Sequence, residues 1–260
     1  MTNRYADLRQ KLKRPLFVPF TVVGDPDTGT SLKIIQALIK NGADALELGL
    51  PFSDPPADGP VIQAAHTRAL AAGVTIDQCF TVLKSVRAET AMPIGLLVYF
   101  NTVLQRGIDR FYTDCQAAGV DSVLVADLPL EHADEVLGAA RKHQVAPVLL
   151  VSDRTTDERL KAIAKVANGY LYLTAYTGVT GKTKGVLGAL VTKLIKRCRS
   201  VTALPLLVGF GVSTAEDATA ICQAGADGVI VGSRIVAEVP DCKRIADLTR
   251  QLRAGIVPLQ

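Results

Sequence analysis

Eight short runs rich in apolar and β-branched residues recur along the chain, separated by segments whose apolar residues repeat at helical spacing. The runs cover 17–23, 45–50, 93–99, 122–128, 147–152, 169–175, 205–211 and 228–234, and SLKIIQALIKNG, TIDQCFTVLKSVRA and ERLKAIAKVANG are typical of the intervals. Strands this uniformly apolar are buried on both faces, which requires a parallel sheet covered by helices. A weak internal repeat points the same way. NGADALELGLP (41–51), AAGVDSVLVADLP (117–129) and QAGADGVIVGS (223–233) each read as a helix end, a Gly-X-Asp and a strand. Eight such units in 260 residues predict one domain over 1–260, a closed (β/α)8 TIM barrel. An open doubly wound sheet fits less well, because VVGDPDTG after the first run is not a GxGxxG. Tyr5, Leu8 and Leu12 place an extra amphipathic helix ahead of the barrel, and Thr155 with Glu158 and Ser213 with Glu216 have capping-box spacing.

Composition narrows the function classes. The 29 basic and 25 acidic residues leave a charge of +4 spread along the chain, too weak and scattered for nucleic acid or a membrane surface. The densest basic stretch, Lys193 to Arg199, carries Leu194 and Ile195 at helical intervals and reads as a solvated helix face. Cys79, Cys115, Cys198, Cys222 and Cys242 are dispersed, without a CxxC, as in a reducing compartment. No signal peptide or membrane-length apolar run is visible, so the expected location is cytoplasmic.

Two connections are longer than a barrel needs: PFSDPPADGP (51–60) and YTGVTGKTKGVLG (176–188). Both follow strand C-terminal ends, the face where barrel active sites sit. Glu47, between Leu46 and Leu48, alternates toward the barrel interior. There it is either an acid/base group with a raised pKa or a partner of a buried Arg or Lys. No basic residue lies within the first seven runs, which favours the former. Asp58 lies in the following loop, but Asp25 and Asp127 are strand-end acids of equal standing. Asp54, before Pro55, reads first as a turn residue. VGFGVS (208–213) and VGS (231–233) precede helix starts near Ser213 and Ser233, and with Gly178 and Gly181 they form a candidate phosphate cradle. His66, His132 and His143 fall in helix-like segments, so no metal site is expected, and no strand lysine suggests a Schiff base. Proton transfer by carboxylates on a phosphorylated small molecule remains, as an isomerase or as a carbon–carbon lyase.

FVPFTVVGDP, GADALELGLPFSDPPADGP, GVDSVLVADLP, GVTG and GFGVS occur in this order over nearly the whole chain, which thereby resembles the tryptophan synthase alpha subunit family. The resemblance implies a lyase that cleaves indole-3-glycerol phosphate to indole and glyceraldehyde 3-phosphate with no cofactor of its own. It also implies a beta subunit, carrying pyridoxal phosphate, that receives the indole within an alpha2beta2 tetramer. A standalone lyase without that partner is the alternative. By resemblance, Glu47 is the acid/base group and Asp58 the essential aspartate. Phe20, Leu97, Tyr99 and Tyr172 surround the indole, while Thr180, Gly181, Phe210, Gly211, Gly232 and Ser233 hold the phosphate. Pro51, Asp54, Pro55 and Asn101 face the beta subunit, Asp54 also being tied to loop closure. Pro56, Tyr176 and KTKGVLG depart from the family pattern, all within the loops that close over substrate.

Overall fold

Each of the eight apolar runs contributes one strand: β1 Leu16–Val22, β2 Leu46–Gly49, β3 Ile94–Val98, β4 Ser122–Val125, β5 Ala146–Ser152, β6 Leu171–Thr174, β7 Leu206–Val208 and β8 Gly228–Val231. Every neighbouring pair is parallel, and β8 pairs with β1, closing a barrel in sequence order. This computed structural model describes residues 3–174, 184–209 and 211–256. Most strands are shorter than the apolar runs that predict them. The last residues of the runs, among them Tyr99, Asp127, Gly209 and Gly232, lie beyond the strand ends. The apolar runs extend past the last ladder bonds into a rim of mixed burial, where Tyr99 is buried and Asp127 is exposed.

The first three helices are α1 Arg4–Leu12, α2 Thr28–Lys40 and α3 Pro60–Ala71, of which α3 carries His66 to the site. The predicted extra helix is α1, capped by the Asn3 side chain, which accepts the Tyr5 and Ala6 N–H groups. It lies across the N-terminal end of the barrel. Its Tyr5 is 2% exposed, shares a 2.8 Å hydrogen bond with Ser122, and meets the ring of Tyr170 edge-on at 4.9 Å. Gly95 makes this approach possible, for a Cβ there would stand 2.8 Å from Ser122 Oγ and 3.0 Å from the Tyr5 hydroxyl.

The Gly-X-Asp repeat has a physical role at the same end. Asp44, Asp121 and Asp227 accept the backbone N–H of Phe17, Ile94 and Leu206, at 2.9, 2.8 and 2.8 Å, each at or beside the start of an adjacent strand. Each also pairs with arginine: Asp44 with Arg14, Asp121 with Arg4 and Arg87, Asp227 with Arg9 and Arg199. One residue type thus clamps adjoining strands and neutralises itself. Asp121→Ala should destabilise the fold by about 3–5 kcal/mol, because it leaves two guanidinium groups and a strand N–H without their shared acceptor. Thermal unfolding would register this as a fall of roughly 10 °C, with the residual folded protein still active.

Two caps fall one residue later than their spacing predicts. Thr156 caps the helix over Asp157–Val166, and Thr214 forms a reciprocal box with Asp217. Ser213 and Thr214 offer the box in two registers, with Glu216 or Asp217, whereas Thr156 accepts the Arg159 N–H as a simple cap without a box. Thr155 instead accepts the Ser152 N–H at 2.9 Å. The basic stretch lies on the helix Lys184–Arg199, where Leu194 and Ile195 are buried and Arg197 pairs with Asp157. Cys79, Cys115, Cys198 and Cys222 are buried free thiols. Burial pushes Cys79 and Cys222 up to about 12. Among the described residues, no single helix is long and apolar enough to cross a membrane.

Candidate active site

The register sets which side chains share the barrel interior. Phe20, Glu47 and Gly95 are lateral partners on β1, β2 and β3, and in parallel strands such partners point the same way. Glu47 is 1% exposed. No cation pairs with it among the described residues. The Tyr170 hydroxyl donates to its Oε1 at 2.9 Å, and its Oε2 has no hydrogen-bond partner among the described residues. Burial raises its pKa to about 8, and the charge of Asp58 adds to the rise although the Tyr170 bond opposes it. Of the two roles that the sequence left open for Glu47, the buried ion pair is not formed with any described residue.

Three strand-end acids were equivalent by position, and their partners separate them. Asp25 is fully buried and accepts both Nε–H and Nη2–H of Arg68 from α3, at 2.7 Å each. Asp127 accepts the Phe100 N–H at 2.7 Å, bridging the ends of β4 and β3. Asp58 has no strand or guanidinium to hold. Its Oδ2 accepts the Tyr99 hydroxyl at 2.7 Å and the His66 Nε2–H at 3.1 Å. His66 Nδ1 in turn accepts the Phe52 N–H at 3.2 Å, which leaves the ring proton on Nε2. Burial and the neighbouring Asp58 both push the Tyr99 hydroxyl well above the usual tyrosine range, so it stays protonated and donates.

An apolar wall surrounds these carboxyl groups. Phe20 is 2% exposed, and its ring edge lies where a Cβ on Gly49 or Gly232 would stand, 2.9 and 3.3 Å away. Tyr99 is buried and stacks on Phe52 at 5.1 Å, while Leu97 is half-buried. The Tyr172 hydroxyl donates to the Gly209 carbonyl at 3.2 Å. A Cβ on Gly209 would fall 2.0 Å from that hydroxyl, so only glycine fits there. Burial, and to a lesser degree the carboxyl groups of Glu47 and Asp58, push the Tyr172 hydroxyl well above the usual tyrosine range, so it stays protonated and donates.

The remaining expected positions divide. Gly211 has φ +74°, and Gly232 precedes the short helix Ser233–Val236 with no side-chain cap. Thr180, Gly181 and Phe210 lie outside the described residues, as does Tyr176. Of the partner-facing set, Pro51 and Pro55 are buried while Asp54 and Asn101 are exposed. Pro51 and Asn101 line an open groove of about 420 Å³ together with Phe52, Ile76, Gln105 and Arg106. Among the described residues no group of three or more His, Cys, Asp or Glu is arranged to hold a metal ion.

Two residues of the site, His66 and Tyr170, are not among those expected from the sequence. Tyr170 carried a usable signal, standing two residues before Tyr172 and hence in its inward phase. His66 carried only a place on a helix beginning just after Asp58.

A family model described as tryptophan synthase alpha chain matches residues 5–255. The tryptophan synthase alpha chain of Methanoregula boonei is 50% identical over 236 residues, 91% of this chain and 89% of that one. That of Escherichia coli strain SMS-3-5 is 50% identical over 241 residues, 90% of this chain and 88% of that one. Among solved structures, a tryptophan synthase complex from Pyrococcus furiosus is similar with a TM-score of 0.84 and 33% identity, covering 93% of this chain and 98% of that chain. A Mycobacterium tuberculosis tryptophan synthase reaches 0.91 at 31% identity, covering 100% of both.

Proposed function

The chain belongs to the tryptophan synthase alpha chain family and is a lyase, and from that premise we propose that Glu47 and Asp58 carry out a retro-aldol cleavage of indole-3-glycerol phosphate. The observation that carries this reading is the state of Glu47. With a pKa of about 8 and an Oε2 that no described residue bonds, it holds a proton at neutral pH and has one oxygen left to transfer it. Cleavage requires a proton at indole C3, giving an indolenine, and removal of the proton from the side-chain hydroxyl as the C–C bond breaks. Glu47 donates the first proton and, as the carboxylate so formed, accepts the second. Asp58 accepts the indole N–H and stabilises the positive charge that develops on that nitrogen. Two carboxyl groups in different surroundings divide the two tasks.

Phe20, Leu97, Tyr99 and Tyr172 form the slot for the indole ring. The phosphate is assigned to backbone N–H groups at Gly211, Gly232 and Ser233, with Thr180, Gly181 and Phe210 completing the site. No cofactor of the chain's own enters these steps; pyridoxal phosphate belongs to the beta partner. Pro51, Asp54, Pro55 and Asn101 mark the face toward that partner, in an alpha2beta2 assembly that passes indole onward. The domain spans the whole chain, and the cytoplasm is its expected location.

Indole release from indole-3-glycerol phosphate, measured on the chain alone and with a tryptophan synthase beta subunit, tests this reading. Turnover that rises on adding the beta subunit, with co-elution in gel filtration, is the expected result. Failure to release indole in either case overturns the proposed reaction; full activity with no complex formed would favour a standalone lyase.

A further inference from the structure

Asp58 sits in a loop, and a loop carboxylate free to rotate would rarely present the same oxygen to a substrate. Its Oδ2 is nevertheless fixed by two donors from different parts of the fold, Tyr99 following β3 and His66 on α3. Neither bond uses Oδ1. His66 is 2% exposed, so no bulk water competes for its ring nitrogens. The ring connects two ends of one loop: Nδ1 takes the N–H of Phe52, five residues after Glu47, and Nε2–H reaches Asp58. Two residues further along α3, Arg68 grips the buried Asp25 after β1, anchoring the helix that carries the imidazole.

We propose that His66 is a positioning residue for the proposed reaction: as a neutral Nε2–H imidazole strapped to the Phe52 N–H, it pins Asp58 Oδ2 and leaves Oδ1 directed at the substrate. This rests on the role assigned to Asp58 above. The imidazole touches no reacting atom. Its contribution is to keep one carboxylate rotamer populated, so its loss is felt in the transition state, where the developing charge needs the fixed oxygen, more than in binding.

The test uses the full chain with its beta subunit and compares His66→Phe, His66→Gln and Asp58→Asn. His66→Phe keeps the ring volume and removes both hydrogen bonds. It should lower kcat by about 10- to 100-fold, the range for losing one hydrogen bond to a charged group, with KM within about 3-fold. His66→Gln can place an amide N–H near the position of Nε2–H and should recover most of kcat. A His66→Phe enzyme with wild-type kcat, or one in which only KM rises, overturns the proposal if Asp58→Asn is inactive. An active Asp58→Asn would instead remove the role on which the proposal depends. The tautomer is read independently of any variant by nitrogen-15 NMR of the wild-type chain, which has only three histidines. A proton on Nε2 of His66 is expected, and a proton on Nδ1 overturns the strap.

Discussion

Asp58→Asn is expected to lower indole release by about 10³-fold or more while leaving the melting temperature within a few degrees of wild type. The amide oxygen can still accept the bonds from Tyr99 and His66, so the loop keeps its anchor and only the charge is lost. A neutral amide cannot balance the positive charge that forms on the indole nitrogen as C3 is protonated. The fall should appear in kcat, since the proposed interaction strengthens only as that charge develops. Steady-state kinetics and a melting curve on the same preparation suffice. Activity near the wild-type level would mean that Asp58 has a structural role, like Asp25.

Glu47→Gln should abolish turnover by a similar factor and, unlike Asp58→Asn, make the protein more stable. Glu47 has a folded pKa of about 8 against 4.5 for an unperturbed glutamate. The folded chain therefore binds a proton that the unfolded chain has released anywhere between those values. Below pH 4.5 both states are protonated and burial carries no electrostatic cost. As the pH rises through the window, the unfolded state gains free energy from ionising, so folding stability falls until about pH 8 and then levels off. Glutamine mimics the protonated acid, keeps an acceptor for Tyr170 and does not titrate. The variant should thus exceed wild type by on the order of 3 kcal/mol at pH 7, about 6–12 °C in melting temperature, with the gap closing toward pH 5. A gap independent of pH would show that the carboxyl is not held protonated by burial. The same site would then be one whose stability cost is unrelated to its proton.

The two variants separate what was legible in the sequence from what was not. Alternation alone turned Glu47 inward, and the absence of strand cations left it without an ion-pair partner, so its raised pKa was foreseeable from β2. Asp58 was not distinguishable by position from Asp25 and Asp127. What sets it apart is that Arg68 neutralises Asp25 and a backbone N–H occupies Asp127, neither of which has any local trace. The Gly-X-Asp repeat was visible as a pattern, yet its purpose emerged only when each aspartate was found on the N–H of an adjacent strand. Cap positions were ambiguous for a different reason, because either of two adjacent hydroxyl residues can serve as the N-cap.

The sequence by itself determined the alternation of strands and helices, the inward phase of Glu47, and the loops at the strand C-terminal ends. These follow from periodicity, which acts between residues close in the chain and can be read without coordinates. Tertiary structure alone decided that Tyr170 bonds Glu47 across 123 positions, that Tyr99 reaches Asp58 across 41, and that α1 sends Tyr5 against Tyr170 and Ser122 through the space left by Gly95. Closing the barrel brings β2, β3 and β6 around one interior. Contacts across it depend on shear and register rather than on local spacing, so the partners of both carboxyl groups became defined only once the ring of strands was complete.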